Sequence, residues 1–448
     1  MTCAQIVEEF GNELQHGFGT FFVGSGISAA SGLPDWAKLL RRRVKSDLSL
    51  DLETTDDLVQ MTQFLLNRDL GNRGPIVQHF KKILSKPLAP NANHRALTMS
   101  KVSTIWTTNF DTLLEQAFRE HFAIDVKASD DSISRTVLQH QVEIIKMHGS
   151  IDSSKPEELV FASADYEDFA SNRPATSQRL RMDLLNKSFL FIGYSYRDPN
   201  IRNVIVEARR LASNATRPHF LITLEETGAR EKQLQDLWCQ DLRRNGIRCA
   251  MIQEYSELTT TLEALSRRSR GRSVSVTGSH VSTGQPLAQA LGWLMAEDKD
   301  TIVIDGQSTG PSRQFVTAFT ERAAIQKIDI GGRLRIFPNP YANTPALESN
   351  KDLLPVLEQW RAPLMRDTHI LVAFDGGMGT STEVELAIRC GCTIVPVPTS
   401  GKGTARELMK RSEIIARLPL EYIRACKTKA PTQTQLFACL KQVLESAS

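Results

Sequence analysis

Five short segments in the first half of the chain combine glycine with hydroxyl, amide, carboxylate or imidazole groups. They are Gly24-Ser25-Gly26-Ile27-Ser28, Ser31-Gly32-Leu33-Pro34-Asp35, Thr107-Thr108-Asn109-Phe110-Asp111, His148-Gly149-Ser150 and Gly193-Tyr194-Ser195. The first suits close approach of backbone to a pyrophosphate, as glycine-rich turns after strands do. In the second, Pro34 stiffens the loop and Asp35 offers a carboxylate, although a Pro-Asp pair also makes an ordinary turn. Asn109 and Asp111 lie at the C-terminal end of a strand, the end that faces the ligand crevice in open parallel sheets, and both read equally as helix caps, Asp111 in particular for Thr112–Phe122. His148 is a candidate general base, since an unperturbed imidazole titrates near neutrality. Beyond Gly193 and Ser195, Asp198-Pro199 reads as a helix cap followed by a first-turn proline.

The second half carries a separate set. Val276-Thr277-Gly278-Ser279-His280 is a strand-to-turn junction, and Asp305-Gly306-Gln307-Ser308-Thr309-Gly310 follows another apolar strand. The most specific element is Gly376-Gly377-Met378-Gly379-Thr380-Ser381-Thr382-Glu383, which leaves the strand Ile370–Phe374 and opens a helix. Amides at such a helix N-terminus suit phosphate, and Glu383, read as a first-turn residue, can reach a ribose diol. The alternative is a glycine-rich turn that only packs a helix onto a strand. Arg361 stands upstream as a phosphate partner or a surface ion-pair residue.

These groups need elements to hold them. Ala4–His16 places Ile6, Val7, Phe10 and Leu14 on one helical face, Gly17 and Gly19 end it, and Thr20–Val23 reads as a buried strand. Apolar strands recur at Val102–Trp106, Glu143–Met147, Ser188–Ile192 and His219–Leu224, with helical stretches such as Thr112–Phe122 and Asn200–Leu211 between them. After Ser266–Ser273, a Ser/Arg/Gly run that reads as a solvated linker, strands restart at Val274–Thr277, Thr301–Ile304, Leu334–Phe337, Ile370–Phe374 and Thr393–Val397. The alternation predicts an α/β chain of two Rossmann-like domains with mainly parallel sheets, at residues 1–268 and 272–448. In such sheets the loops beyond the carboxyl ends of the strands form the ligand crevice, where all five N-terminal segments fall.

Composition narrows the classes. The chain has 448 residues, 41% hydrophobic and 23% charged, with a formal net charge of +3, an ordinary globular balance that gives no reason to invoke nucleic acid. Its apolar runs are strand-sized, so no membrane span is expected. Seven scattered cysteines without a disulfide-like framework fit a reducing cytoplasm.

In order and spacing, GSGIS, SGLPD, TTNFD, HGS and GYS resemble the sirtuin fingerprint over roughly residues 5–260. The GYS-x-x-DP-x-I segment is most similar to the bacterial sirtuin-like NADase branch. Two departures matter. Trp36-Ala37 stands where sirtuin deacylases usually carry Phe-Arg, and no cysteine lies between His148 and Gly193, where they usually carry two Cys-x-x-Cys pairs. A tetrahedral structural zinc is therefore not expected there, and no metal is expected in the chemistry. The resemblance implies NAD as substrate, with Gly24, Ser25, Gly26, Ser28, Pro34, Asp35, Thr108, Gly193 and Ser195 around it. It puts Asn109 by the ribose and its attacking water, Asp111 by the nicotinamide carboxamide, and His148 as base.

The second half resembles the SLOG nucleotide-binding superfamily, whose phosphoribohydrolases carry Pro-Gly-Gly-x-Gly-Thr-x-x-Glu with an upstream arginine. Here Asp375 replaces that proline, which puts hydrolysis in doubt rather than binding. Gly278, Ser279, Gly306, Arg361, Gly376, Gly377, Gly379, Thr380 and Glu383 are the nucleotide-binding candidates. A sirtuin-like domain followed by a SLOG domain resembles the NAD-depleting effectors of Thoeris anti-phage defence. That resemblance implies a homo-tetramer and activation by a cyclic ADP-ribose isomer made by a TIR-domain partner protein. Two other functions fit the same motifs: an NAD-dependent protein deacylase, and a non-catalytic nucleotide sensor acting by assembly.

Overall fold

The computed structural model describes the chain apart from residues 54–55, 139–140, 153, 195–203, 205–206, 208–209, 211–216, 245, 279–283, 340–353, 400–402, 428 and 446–448. Ser195, Asp198 and Ser279 lie outside the described residues, as does most of the helix expected at Asn200–Leu211. The chain divides into two compact units. One comprises Met1–Thr98 and Val102–Leu265, the other Met99–Lys101 and Ser266–Ser448. Among the described residues no helix is long and apolar enough to cross a membrane.

The first unit is built on seven parallel strands: β1 (Gly19–Val23), β2 (Thr104–Thr107), β3 (Ile124–Lys127), β4 (Val142–Lys146), β5 (Ser188–Ile192), β6 (His219–Leu224) and β7 (Ile247–Ile252). They lie in the order β3-β4-β2-β1-β5-β6-β7. β1 is central, pairing with β2 on one side (Phe22↔Trp106) and β5 on the other (Phe22↔Phe191). Its five residues are all buried, so the strand reads as one continuous apolar run. Phe22, Trp106, Phe189, Phe191 and Leu221 fill the core on one face of the sheet. A second cluster forms under the helices Leu58–Arg68 and Gly74–Leu84, where Leu65, Ile76 and Phe80 meet Leu40, Phe110 and Phe161.

The chain enters the sheet through a well-capped helix, Cys3–Gln15. Thr2 and Gln5 form a reciprocal capping box at its start, and Ile6, Phe10 and Leu14 are buried along one face. β3 and β7 were not anticipated from sequence. Burial in both is partial, so their apolar signal is diluted.

The second unit has five parallel strands: β8 (Ser273–Thr277), β9 (Ile302–Asp305), β10 (Leu334–Ile336), β11 (Ile370–Phe374) and β12 (Thr393–Val397). Their order, β10-β9-β8-β11-β12, places a topological switch between β8 and β11. Two of the three glycine-bearing loops expected to bind nucleotide, those after β8 and β11, leave the sheet at that switch, and the Gly306 loop follows the neighbouring β9.

Ser266–Ser273 is not a solvated linker. The helix Tyr255–Arg270 extends into it, β8 begins at its last residue, and Ser266, Ser269, Arg270 and Ser273 are buried. Arg270 donates to the carbonyls of Met99 (2.9 Å) and Cys390, and to Ser266 Oγ at 3.1 Å. A run without apolar residues is buried here because its polar groups find backbone and hydroxyl partners.

Candidate active site

β1 ends at Val23 and β5 at Ile192, and the loops beyond them interlock. Gly26 N–H donates to the Gly193 carbonyl at 3.0 Å. A Cβ on Gly24 would meet that carbonyl oxygen at 2.6 Å, and one on Gly193 would meet the Gly24 oxygen at 2.7 Å. Gly193 also sits at φ +76°, a conformation that favours glycine. These three glycines let two strand ends touch, whatever ligand lies above them. Tyr194 secures the junction: its Oη donates to the Val23 carbonyl at 3.0 Å and lies 3.0 Å from Thr108 Oγ1.

Asn109 follows β2 and turns back over the Gly24 loop. Its Nδ2 donates to the Gly24 carbonyl at 3.2 Å and to Ser28 Oγ at 3.4 Å, while its backbone N–H donates to Thr107 Oγ1 at 3.0 Å. The side chain is thus fixed by its amide nitrogen. Its Oδ1 is buried and has no hydrogen-bond partner among the described residues. Leaving an acceptor buried and unpaired costs about 1–3 kcal/mol, so this oxygen is a prepared seat for a water or hydroxyl donor.

Asp111 has both roles left open by the sequence. Its Oδ1 accepts from Leu113 N–H at 3.0 Å, capping the helix Leu113–Arg119, yet the residue also faces the cavity. Beneath it lies a pair that sequence reading missed. Lys146 is fully buried at the end of β4, with Nζ 2.6 Å from Glu115 Oε1 and further bonds to the Phe110 and Asp111 carbonyls. The ammonium therefore ties the Asn109–Asp111 turn to the sheet. A charged residue inside a strand gave the only hint of it.

The cavity enclosed by these groups measures about 40 Å³. Ser25, Ser28, Thr108, Asn109, Asp111 and His148 supply its polar wall. Pro34, Trp36 and Phe110 supply the apolar one. Trp36 packs against Phe80 and Phe110 with ring centroids 5.4 and 5.8 Å apart, and its buried indole N–H has no partner among the described residues. Asp35 does not join the cavity. It caps the helix Trp36–Arg43 through Lys38 N–H (2.8 Å) and pairs with the Lys38 ammonium at 3.0 Å.

His148 follows β4 and is 2% exposed, its ring edge-on to Tyr166 and Phe169. Burial, reinforced by the Arg173 guanidinium and opposed by Asp165, pushes its pKa down to about 3. The near-neutral titration expected from sequence is therefore displaced far to the acid side, because the ring has lost water without gaining a hydrogen-bonded anion. It is a neutral imidazole at physiological pH. The residue also borders a second cavity of about 230 Å³ on its Tyr166 side.

In the second unit the helix after the glycine pair spans Met378–Arg389. Glu383 therefore lies in its second turn, not the first, because Gly377 is the N-cap. Its buried carboxylate accepts from Thr277 Oγ1 at 2.6 Å and pairs with Arg361 through Nε (2.8 Å) and Nη2 (2.7 Å). Arg361 also donates to Ser308 Oγ at 3.2 Å. The two residues expected to hold a ribose and a phosphate are thus bonded to each other, in a buried pair rather than at the surface. Gly306 makes room for that guanidinium, since a Cβ there would collide with Nη2. A Cβ on Gly278 would meet Phe374 at 2.9 Å. Gly377 and Gly379 differ: an added Cβ would meet nothing within 4 Å at either, so close packing does not explain them. Thr380 is buried beside them, and Gly376 accepts from Thr404 Oγ1. Asp375 fastens the loop from below, accepting from Thr399 N–H and Oγ1 (both 2.8 Å) and Ala405 N–H (3.0 Å).

A SIR2-like domain model matches residues 103–242, the stretch that carries Asn109, Asp111, Lys146 and His148. Among characterised relatives, the NAD(+) hydrolase ThsA of Bacillus cereus is 31% identical over 286 residues, 62% of this chain and 60% of that protein. ThsA of Acinetobacter baumannii is 26% identical across 91% of this chain and 89% of its own length. The chain is thus similar to the ThsA NAD(+) hydrolases. ThsA of Enterococcus faecium, 27% identical over 75% of both chains, is a third such relative.

Of the residues expected to bind NAD, the structure brings Ser25, Ser28, Pro34, Thr108, Asn109, Asp111 and His148 to one cavity. Gly24, Gly26 and Gly193 do not line it but pack the neighbouring strand ends together, and Asp35 stands outside as a cap. Trp36, Phe110, Tyr194, Glu115 and Lys146 complete the site. Among the described residues all seven cysteines are free thiols, and no cluster of three or more metal-ligating side chains occurs.

Proposed function

We propose that this chain hydrolyses NAD+ to nicotinamide and ADP-ribose in the first unit, under control of a nucleotide bound by the second. The observation that carries the catalytic reading is the unpaired, buried Asn109 Oδ1 facing the same small cavity as Asp111 and His148. The names of the ThsA relatives, NAD(+) hydrolase, agree with it.

The nicotinamide of NAD+ is a cationic pyridinium that departs neutral, so the leaving group needs no acid. Catalysis then consists of favouring an oxocarbenium-like ribose and delivering water to it. Asn109 Oδ1 orients that water, neutral His148 takes its proton, and Asp111 holds the carboxamide. The Lys146–Glu115 pair keeps the Asn109–Asp111 turn in place during the reaction.

A cavity of about 40 Å³ is far below the roughly 300–1,000 Å³ of small-molecule sites. Substrate entry therefore requires the helices lining the crevice to move, which supports a gated enzyme. The gate we propose is a cyclic ADP-ribose isomer, produced by a TIR-domain partner and held at Gly377–Thr380, Arg361 and Glu383 in a SLOG-type site. We further propose that the protein works as a homo-tetramer in the cytoplasm, as an anti-phage effector. An ungated NAD hydrolase would deplete its own cell, and a coupling of about 3 kcal/mol between the sites is worth roughly a hundredfold in activity.

The test is to incubate the purified full chain with NAD+, with and without cyclic ADP-ribose isomers, and to quantify nicotinamide. Release that rises with an isomer supports both parts. Stoichiometric NAD+ binding without release would replace the enzyme by a sensor, and O-acyl-ADP-ribose formed from an acyl-lysine peptide would make it a deacylase.

A further inference from the structure

His148 borders two cavities. One is the 40 Å³ space with Asn109 and Asp111; the other, about 230 Å³, is lined on its far side by Tyr166, Phe169, Ser177 and Leu180, with Arg181 and Glu207 at its polar side. The ring stands edge-on to Tyr166 with centroids 5.3 Å apart and to Phe169 at 6.4 Å. Both arginines of the lining, Arg181 and Arg210, are held by Glu207 at 3.0 Å, and Glu167 adds a carboxylate to the same wall. What remains for an occupant is a half-apolar chamber with one face formed by an uncharged imidazole. The site already described does not use it.

We propose that this larger cavity is the chamber from which the nucleophile approaches His148, and that it admits small neutral alcohols as well as water. This inference rests on NAD+ cleavage in the adjoining cavity. A base must touch the hydroxyl it deprotonates, and a nucleophile must reach the ribose from the side of that base. His148 is the group common to both spaces. Uncharged, its ring nitrogen is free to accept the hydroxyl hydrogen, and a neutral alcohol fits a chamber whose arginines are already paired. A charged acceptor would need to displace Glu207 from Arg181.

The reaction balances without any further reactant. The C–N bond between ribose and pyridinium breaks, and its electron pair stays on nicotinamide. The alcohol oxygen forms the new C–O bond, and its proton passes to His148 and then to water. The products are nicotinamide, an O-alkyl ADP-ribose and one proton. With water in the chamber the same step gives ADP-ribose.

The experiment measures partition with the full chain, NAD+, a cyclic ADP-ribose isomer, and either methanol or 1-propanol. Nicotinamide, ADP-ribose and O-alkyl ADP-ribose are quantified by chromatography. Two variants narrow the chamber away from the Asn109 cavity: Ser177→Phe on the helix Pro174–Asn186, and Ala170→Phe. The parent protein should give alkyl product with both alcohols. Each variant should lower the propanol-to-methanol product ratio by about tenfold or more, the discrimination a methylene or two commands in a filled pocket. Alkyl product absent from the parent while nicotinamide is released would overturn the chamber and leave hydrolysis standing. A ratio unchanged in both variants would do the same. If no nicotinamide appears under any condition, the hydrolase reading itself falls and takes this inference with it.

Discussion

Replacing Lys146 by methionine tests whether the catalytic turn depends on a buried charge. Its ammonium has three acceptors: Glu115 Oε1 at 2.6 Å and the carbonyls of Phe110 and Asp111. Lys146 is 1% exposed and Glu115 2%, so solvent does not relieve either partner if the other is removed. Glu115 Oε2 already lacks a hydrogen-bond partner among the described residues, so the lost ammonium has no nearby substitute. Stranding one member of a buried pair costs roughly 3–5 kcal/mol, whereas replacing both by apolar residues of similar volume is often neutral. For a unit of this size that corresponds to a fall of roughly 6–20 °C in the melting temperature, at about 2–4 °C per kcal/mol. The assay is thermal melting of Lys146→Met, Glu115→Leu and the double variant, with nicotinamide release alongside. The singles should melt early and the double should recover most of the loss. Catalysis should stay impaired in the double, because the Phe110 and Asp111 carbonyls remain untethered. A Lys146→Met protein as stable as the parent would refute the argument, and so would a double variant with full activity.

Asn109→Ala and His148→Ala should each abolish nicotinamide release, by about a hundredfold or more, with melting temperature little changed; full turnover in His148→Ala at neutral pH would remove it as base. With His148 held at about 3, nicotinamide release should persist well below the ordinary histidine value of 6.5, and an acid limb centred there would contradict its burial. Stability behaves differently: His94 and His219 are pushed by burial to about 4 and His148 to about 3, so the unfolded chain binds more protons between those values and 6.5. The first unit should lose up to roughly 3 kcal/mol per histidine as pH falls from 6.5 to about 4, and a melting temperature flat over that range would count against the burial of these rings. A chelator should leave nicotinamide release unchanged; inhibition reversed by zinc would be the contrary result. Glu383→Gln should keep the hydrogen bonds to Thr277 and Arg361 while weakening activator response by roughly ten- to a hundredfold, with NAD+ binding intact. A normal response would remove Glu383 from the sensor site.

The parallel sheets were legible because their central strands are unbroken apolar runs. β5, β6, β11 and β12 begin and end where the pattern places them. β3 and β7 were not, since Asp125, Lys127, Arg248 and Cys249 interrupt the apolar signal in them. The same limit hid the supports of the site. Lys146 and Glu115 are charged residues whose partners are remote in sequence, and nothing local distinguishes them from solvated ones. His148 was found through its neighbours, but its acid shift depends on Arg173 and on burial beneath Tyr166 and Phe169, which only the tertiary structure supplies. Ser266–Ser273 shows the converse: its polarity suggests exposure, whereas Arg270 is buried with partners.

Glycine-rich turns after strands show where pattern and geometry part. Gly24, Gly26 and Gly193 would each place a Cβ within 3 Å of backbone, so the fold alone requires them and they carry little information about a ligand. Gly377 and Gly379 face open space, and a methyl group would fit both sites in the structure. Gly377 is an N-cap, where glycine is at home, but Gly379 lies inside the helix and costs about 0.5–1 kcal/mol relative to alanine with no packing return. The proposed activator would account for the bare backbone there, its phosphate resting on the amides of the helix N-terminus. Substituting alanine should accordingly separate the two kinds of glycine. Gly193→Ala should destabilise the first unit through its positive φ and the collision with the Gly24 loop, whether or not ligand is present. Gly379→Ala should leave the melting temperature of the free protein unchanged or slightly raised, and should weaken the response to a cyclic ADP-ribose isomer. If Gly379→Ala responded to that isomer as the parent does, the glycine loop would lose its claim to the phosphate.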